Sequence, residues 1–404
     1  MKNRVRNYAW GSHTAIATLL GHPQPSIDPQ AEMWIGAHPA DPSMLYLADG
    51  ERTLREVVDD DPTKVLGSEV ANRFDGALPF LLKLLAAESP LSLQAHPTMA
   101  QAHVGFEAEQ AAGIPIDAPN RNYKDRSHKP EMIYALTPFE TLCGFRRTEE
   151  SVRLLDDLAA PELDDVRSEL TGRPGAAGLR SVVCGLLESE RTAAAANVQA
   201  VADLCRARST KDGRFALEYA MAARLSDHYP GDPGVLIALL MNRIDLAPGE
   251  AIYLPAGNMH AYLSGFGVEI MASSDNVLRG GLTTKHVDVA ELSEIVVFEP
   301  LSPQRITPVP VGPDELAFRT PTPEFEFSVI TVRPRGRSLS HVGPQVLLAI
   351  DGSATLTDAQ GCRLTLSQGQ SVFIPARRGQ VWVQGTGSLV RARDGLLSTT
   401  GRSR

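Results

Sequence analysis

The sequence predicts a mainly β protein with α: two related β barrels and an inserted all-helical segment. Three observations carry this. Residues 1–146 are dense in turn signals separated by short apolar runs, the pattern of strands. Residues 147–240 switch to helical spacing, rich in Ala, Leu, Glu and Arg. From 241 the strand pattern returns and repeats: "LAPGEAIYLPAG" (246–257) aligns without gaps to "LSQGQSVFIPAR" (366–377). An internal repeat means two units of one fold.

Along 1–146 the turn signals are "WGSH", "GHPQPSIDPQ" and "AHPADPS", and the apolar runs include "SMLYLA" and "EMIYAL". "LPFLLKLLAAESPLSL" reads as core. "PTMAQAHVGFEAEQAAG" (97–113) reads as a helix, with Pro97 in its first turn and Gly113 at its end. In the helical segment, "TEESVRLL" opens on Thr148 in a capping-box pattern. In each repeat copy a Gly turn leads into an alternating apolar strand ending at Pro-Ala. The expected division is 1–146 with 241–300, a helical insert 147–240, a C-terminal barrel 301–396 and a tail 397–404.

A chain of 404 residues exceeds what one core usually holds, so two or three domains are expected. It is 43% hydrophobic and 22% charged, with net charge −9. That balance argues against nucleic acid or an anionic membrane as partner, and an anionic substrate needs locally concentrated Lys and Arg. The cysteines Cys143, Cys184, Cys205 and Cys362 form no CxxC pair, so neither a disulfide framework nor a thiolate metal site is indicated. The basic N-terminus "MKNRVRNYAWGSHTAI" is followed by no apolar stretch of signal-peptide type, and no window approaches a membrane helix. A cytoplasmic protein is expected. Nothing in the sequence fixes an oligomeric state.

The chemistry starts at "PLSLQAHPTM" (90–99), where an amide and an imidazole interrupt an apolar run. If Leu91 to His96 is a strand, Ser92, Gln94 and His96 share a face. Buried without partners, such groups cost about 1–3 kcal/mol each. Either a core hydrogen-bond network or a cation satisfies them. His260 stands three residues past Gly257, where the first repeat strand turns; the second copy has Gln380 there. In "YKDRSHKPEMIYAL" (123–136), Pro130 forbids a regular central ladder and pushes Lys129 to extended geometry. Lys129 and Glu131 then share a face. Gln94, His96, Glu131 and His260 together form an N/O donor set that suits Zn²⁺. Taken singly, each has an ordinary reading: a hydrogen-bonded core imidazole, a surface carboxylate, a core amide. His13, His22, His38, His103, His128 and His286 are competing imidazoles.

The repeat unit resembles the cupin jelly roll. "EMWIGAHP" (32–39), "LSLQAHP" (91–97), "HKPEMIYAL" (128–136), "LPAGNMHAY" (254–262) and "SDNVLRGGLTTKH" (274–286) are similar to motifs of the type I phosphomannose isomerases. The matches run in the family's order from "NYAWGS" (7–12) to about residue 290. The resemblance implies a catalytic domain, a helical domain and a C-terminal jelly roll. It implies interconversion of mannose 6-phosphate and fructose 6-phosphate, with Gln94, His96, Glu131 and His260 as zinc ligands. Two departures stand out: Thr98-Met99 replaces an acidic residue and a Lys after "QAHP", and "RGGLTTK" replaces "RAGLTPK".

An aldose–ketose isomerisation passes through a cis-enediol(ate), so it needs a base near C1 and C2, an electrophile for the oxygens and a cation for developing charge. Arg279 is expected to stabilise the enediolate: its guanidinium stays charged and offers forked donors. Lys129, His128 and Asp275 are candidates for the base. Lys83, inside "LLKLL", is either a snorkelling side chain or a substrate contact. Lys285 and Ser92 are candidates to hold the phosphate, with Arg279 sharing it. Asp275 and His286 are placed beside the ligands rather than on the metal.

Two other classes compete: an Fe(II)-type cupin acting on another sugar, which two His and a carboxylate also fit, and a non-catalytic sugar-phosphate-binding bicupin. In the second repeat copy Gly257 becomes Arg377 and His260 becomes Gln380. Its nearest further donors are His341, Asp351 and Asp358, and Arg377 and Arg378 would repel a dication. One zinc per chain is therefore expected, with a C-terminal barrel that covers the catalytic domain's apolar flank.

Overall fold

The computed structural model describes residues 1–48, 50–303, 305–339 and 342–396, and only the backbone of Arg191 and Arg378. The expected tail 397–404, His341 and the side chain of Arg378 lie outside the described residues. The fold mixes helices with two large antiparallel sheets. The first has 10 strands, the second 8, and a small hairpin pairs Met44–Leu47 with Gly50–Thr53.

The long strand His260–Ala272 organises the first sheet. Its far half pairs with Phe80–Ala87 on one edge and Glu131–Ala135 on the other. Its near half pairs with Gln94–Ala95 and Phe139–Phe145, after a register shift between Tyr262 and Ser264. Such a shift bends a strand, so one strand serves both halves of a curved sheet. The second sheet repeats the plan. Ala251–Leu254 pairs Glu131–Ala135, which pairs His260–Ala272; Ser371–Ile374 pairs Gln345–Asp358, which pairs Val381–Arg393. The turn glycines Gly249 and Gly369 recur with φ +92° and +81°, a region that disfavours other residues. Past Pro-Ala the copies diverge. Gly257 turns at φ +77°, but the second copy runs through a 3₁₀ turn, Ala376–Arg378, and turns at Gly379.

Between Phe145 and Met241 the described elements are helices only. Thr148–Leu158 buries Ser151, Leu154, Leu155 and Leu158 along one stripe, and it ends at Ala159 in left-handed geometry. Thr148 is its first helical residue, not its cap. The Thr148 hydroxyl instead accepts from the Gly175 N–H at 2.9 Å, so tertiary packing wins over the local box. The early helix is Met99–Ala111, capped by a reciprocal box between Thr98 and Gln101. Pro97 precedes the cap and lies outside the first turn.

One apolar cluster crosses from the helices to the first sheet, joining Leu154, Leu158 and Val198 to Phe145, Met259, Leu278 and Leu282. A second joins the two sheets: Met132, Val268 and Ile270 meet Phe327, Val346, Leu348 and Val390. Tyr134 packs on Phe318 and Phe327 with ring centroids 5.2 and 5.4 Å apart. Each such buried side chain contributes about 1.5–3 kcal/mol. The C-terminal sheet thus covers an apolar flank of the first. No helix among the described residues is long and apolar enough to cross a membrane.

Candidate metal centre and its surroundings

Gln94 sits in a strand of only two residues, Gln94–Ala95, not the six expected. That short strand is nevertheless central. Gln94 is the backbone partner of His260 on one side and of Arg279 on the other. Side chains directly opposite in such a row share a face. His96 follows the strand, and its carbonyl accepts the Gly257 N–H at 2.8 Å. Glu131 opens Glu131–Ala135 directly after Pro130, where the missing N–H falls outside the ladder.

His96, Glu131 and His260 converge, fully buried, with donor atoms within 4.8 Å of one another. His96 Nε2 lies 3.3 Å from Glu131 Oε1, and His260 Nε2 lies 3.3 Å from Glu131 Oε2. The far ring nitrogens fix the tautomers. His96 Nδ1 faces the Asn276 carbonyl at 2.7 Å and His260 Nδ1 faces the Asn258 carbonyl at 3.0 Å. A carbonyl only accepts, so each Nδ1 carries the proton and each Nε2 presents a lone pair inward. Burial pushes the His96 imidazole down to about 4, so it is neutral at pH 7. Burial alone would raise the Glu131 carboxyl, but facing His96 and Lys129 holds it well below the usual range. Two lone pairs and a carboxylate therefore face one another. His96 Nε2 and Glu131 Oε2 have no hydrogen-bond partner among the described residues. The Gln94 amide ends 3.3 Å from His260 Nε2, and turning that amide puts its oxygen inward as a fourth donor. This set fits a borderline divalent cation.

The other expected residues divide. Lys129 is buried with Nζ 3.3 Å from Glu131 Oε1, as the extended "HKPE" predicts. His128 points the opposite way, because alternate residues of an extended segment do. Its Nε2 lies 2.9 Å from Glu324 Oε1, just ahead of the second sheet's Glu326–Val332 strand. The structure thus pairs His128 with Glu324 rather than with Glu131. Lys83 does not snorkel. Its ammonium is buried 3.1 Å from Glu269 and 3.7 Å from Glu32, with the Trp34 ring 5.1 Å away. Burial alone would lower its pKa, but the two carboxylates raise it. The ammonium is thus held by two carboxylates.

Asp275 is half-exposed, with Oδ2 3.5 Å from His38 Nε2. His38 Nδ1 accepts the Ala40 N–H at 3.2 Å, so its proton sits on Nε2, toward Asp275. Among the described residues Arg279 is half-buried with no hydrogen bond or ion pair, and burial lowers its pKa. Lys285 is lowered too, by burial and then by Arg279 and Lys124. Three cations thus share one locality. Ser92 is half-buried beside the same segment, since Leu93 exchanges backbone hydrogen bonds with Gly280 and Gly281. His22, His103 and His286 are exposed, and His13 binds the Ser26 carbonyl; none joins the cluster.

Sequence reasoning missed four supports. Asn276 binds the 124–127 segment with both ends of its amide, while its carbonyl orients His96. Lys124 joins Arg279 and Lys285. Tyr262, two residues past His260 and so on the same strand face, is buried with its pKa raised by burial and by Glu269. Asp232 accepts the backbone N–H groups of Leu282 and Thr283. Of these, only Tyr262 had a signal, the two-residue spacing from a ligand. Cys143 is His260's backbone partner, but burial pushes its thiol up to about 11, so it stays protonated. In the second sheet, Gln345 pairs with Ile374 as Glu131 pairs with Leu254, so an amide stands where the first copy has its carboxylate.

Comparison with known proteins gives the same grouping. A family model described as phosphomannose isomerase type I, catalytic domain, matches residues 1–148, and one described as mannose-6-phosphate isomerase, cupin domain, matches 314–393. The chain is 40% identical to the mannose-6-phosphate isomerase of Salmonella typhimurium over 98% of this chain and 99% of that one. It is 34% identical to the Homo sapiens enzyme of that name over 93% and 90%. A crystal structure of mannose 6-phosphate isomerase with zinc bound superposes with a TM-score of 0.88 at 39% identity, covering 97% of this chain and 98% of that one. The chain belongs to the type I phosphomannose isomerase family.

Proposed function

We propose that the protein is a zinc-dependent isomerase interconverting mannose 6-phosphate and fructose 6-phosphate through a cis-enediol(ate). The observation that carries this is the buried convergence of His96, Glu131 and His260, where His96 Nε2 and Glu131 Oε2 have no hydrogen-bond partner among the described residues, an arrangement that a divalent cation satisfies. Gln94, His96, Glu131 and His260 would hold one zinc per chain. When bound, zinc supplies a Lewis acid for the sugar's C1 and C2 oxygens. The relatives that carry this activity in their names match nearly the whole chain.

The chain's own residues divide the remaining work. Among the described residues no carboxylate pairs with Arg279, so its charge is available to the developing enediolate. Asp275 is a half-exposed carboxylate with no Lys or Arg partner among the described residues, and the His38 Nε2–H steadies it. It takes the proton from C2 and returns it to C1. Lys129, beside Glu131, donates a proton to the carbonyl oxygen and takes one back from the other hydroxyl. Lys285 and Ser92, with Lys124 nearby, receive the phosphate. Lys83 with Glu32 and Glu269 forms a buried charged floor. The architecture that goes with this reading is a catalytic jelly roll (1–146 and 241–300), a helical insert (147–240) and a C-terminal jelly roll (301–396) whose role is packing.

A coupled assay on protein of measured zinc content tests it: mannose 6-phosphate should be converted in proportion to bound zinc. Oxygen uptake, or tight sugar-phosphate binding without turnover, would instead select a competing class.

A further inference from the structure

We propose that Asp232 is a positioning residue: from the helical segment, it sets the loop that presents Lys285 to the substrate's phosphate. The proposal rests on the phosphate reading above. Asp232 lies in the turn between the helices Ala216–His228 and Gly234–Leu239. Its Oδ1 accepts the N–H of Gly234 at 2.7 Å and of Leu282 at 2.8 Å. Its Oδ2 accepts the N–H of Thr283 at 3.0 Å. Two successive amides of the 279–285 segment thus point at one carboxylate, an anion-binding concavity filled by the protein itself.

The same segment is held on its other edge. The Gly280 N–H donates to the Leu93 carbonyl at 2.8 Å, and the Leu93 N–H donates to the Gly281 carbonyl at 3.0 Å. Arg279 is therefore fixed by the strand that carries Gln94, while the chain beyond it depends on Asp232. Between the two anchors the backbone is left-handed, with Gly281 at φ +117° and Leu282 at φ +52°. A leucine holds that conformation only where its surroundings impose it. A Cβ on Gly281 would come within 2.7 Å of the Gly234 Cα, so the glycine admits the close approach that the clamp needs. The Leu282 side chain is buried in the core shared with the helices, whereas Thr284, Lys285 and His286 are exposed. Exposed side chains make few contacts that could hold a loop, so the backbone anchors set where Lys285 stands. The helical segment thereby contributes to substrate recognition without touching substrate.

The test uses full-length, zinc-loaded protein with Asp232→Asn and Asp232→Ala. Asp227→Asn, which alters a surface partner of Arg206, is the control. Two quantities are read: kcat and KM for mannose 6-phosphate, and the affinity for inorganic phosphate by calorimetry. An amide keeps one acceptor oxygen, so Asn should be the milder change. Asp232→Ala should raise KM and weaken phosphate binding about tenfold or more, with Asn intermediate, kcat within about threefold and zinc content unchanged. Unchanged KM and phosphate affinity in the variants would overturn the proposal. So would an Asn variant that fails to fold, which would assign Asp232 to the fold alone. A wild type that does not isomerise mannose 6-phosphate, while Asp232→Ala still weakens phosphate binding, would sink the isomerase reading and leave the clamp standing.

Discussion

Arg279 and Gln94 are backbone partners in adjacent antiparallel strands, and His260 is Gln94's partner on the other side. The Arg279 guanidinium, the Gln94 amide and the His260 imidazole therefore stand in a single cross-strand row. A row fixed by backbone hydrogen bonds is stiffer than a set of loop residues, which is what chemistry at a defined distance needs.

From that row, Arg279→Ala should cut kcat about 10²–10³-fold, with a smaller rise in KM. Steady-state kinetics at saturating mannose 6-phosphate decides it. A rise in KM alone would make Arg279 a phosphate anchor and leave the enediolate without its charge partner.

His128 should be dispensable for chemistry. It turns toward Glu324 and away from the metal centre. His128→Gln should keep kcat within about threefold and cost about 1–3 kcal/mol of stability, because the buried Glu324 loses a partner. Denaturant unfolding alongside kinetics separates the two effects. A loss of kcat by a hundredfold in folded protein would restore His128 as a base.

The metal-free protein should lose stability as pH falls. Unfolded His96 takes up a proton near its ordinary 6.5, whereas burial holds the folded imidazole at about 4. Between those values the unfolded state binds more protons, so stability rises with pH and is lost as pH falls through that window. The difference amounts to about 3 kcal/mol below the window. Chelator-stripped wild type should therefore destabilise more steeply than stripped His96→Gln between pH 7 and 4. Parallel curves would show that His96 is not the neutral donor described here.

Much of the metal centre was legible in the sequence, because an amide, imidazoles and a carboxylate inside apolar strands demand partners. The alternation of "HKPE" placed Lys129 with Glu131, and read on by one residue it also turns His128 away. Lys83 was harder. Its two carboxylates stand on neighbouring strands, Glu32 and Glu269, and strand pairing is not written locally. Asn276, Asp232 and Lys124 were invisible for a related reason. Asn276 and Asp232 act through backbone N–H and C=O groups of distant segments, and Lys124 through proximity created by the fold. Thr148 shows the opposite failure, a local capping signal that the fold does not use, since its hydroxyl accepts from Gly175 instead.

The second barrel of the proposed architecture should hold no catalytic metal. Gln380→Ala should leave zinc content and kcat unchanged within error, since Gln345 and Gln380 offer only neutral amides where the first copy has Glu131 and His260. Metal analysis of the variant is the check. Loss of one of two tightly held metals would reverse the structural role given to that barrel.

A zinc titration of chelator-stripped protein, following bound metal and mannose 6-phosphate turnover together, tests most directly whether one buried cation at His96, Glu131, His260 and Gln94 makes the protein an isomerase. Activity should rise from near zero and saturate at one zinc per chain, and His260→Ala should lower both in step. Full turnover in protein verified free of metal would contradict it.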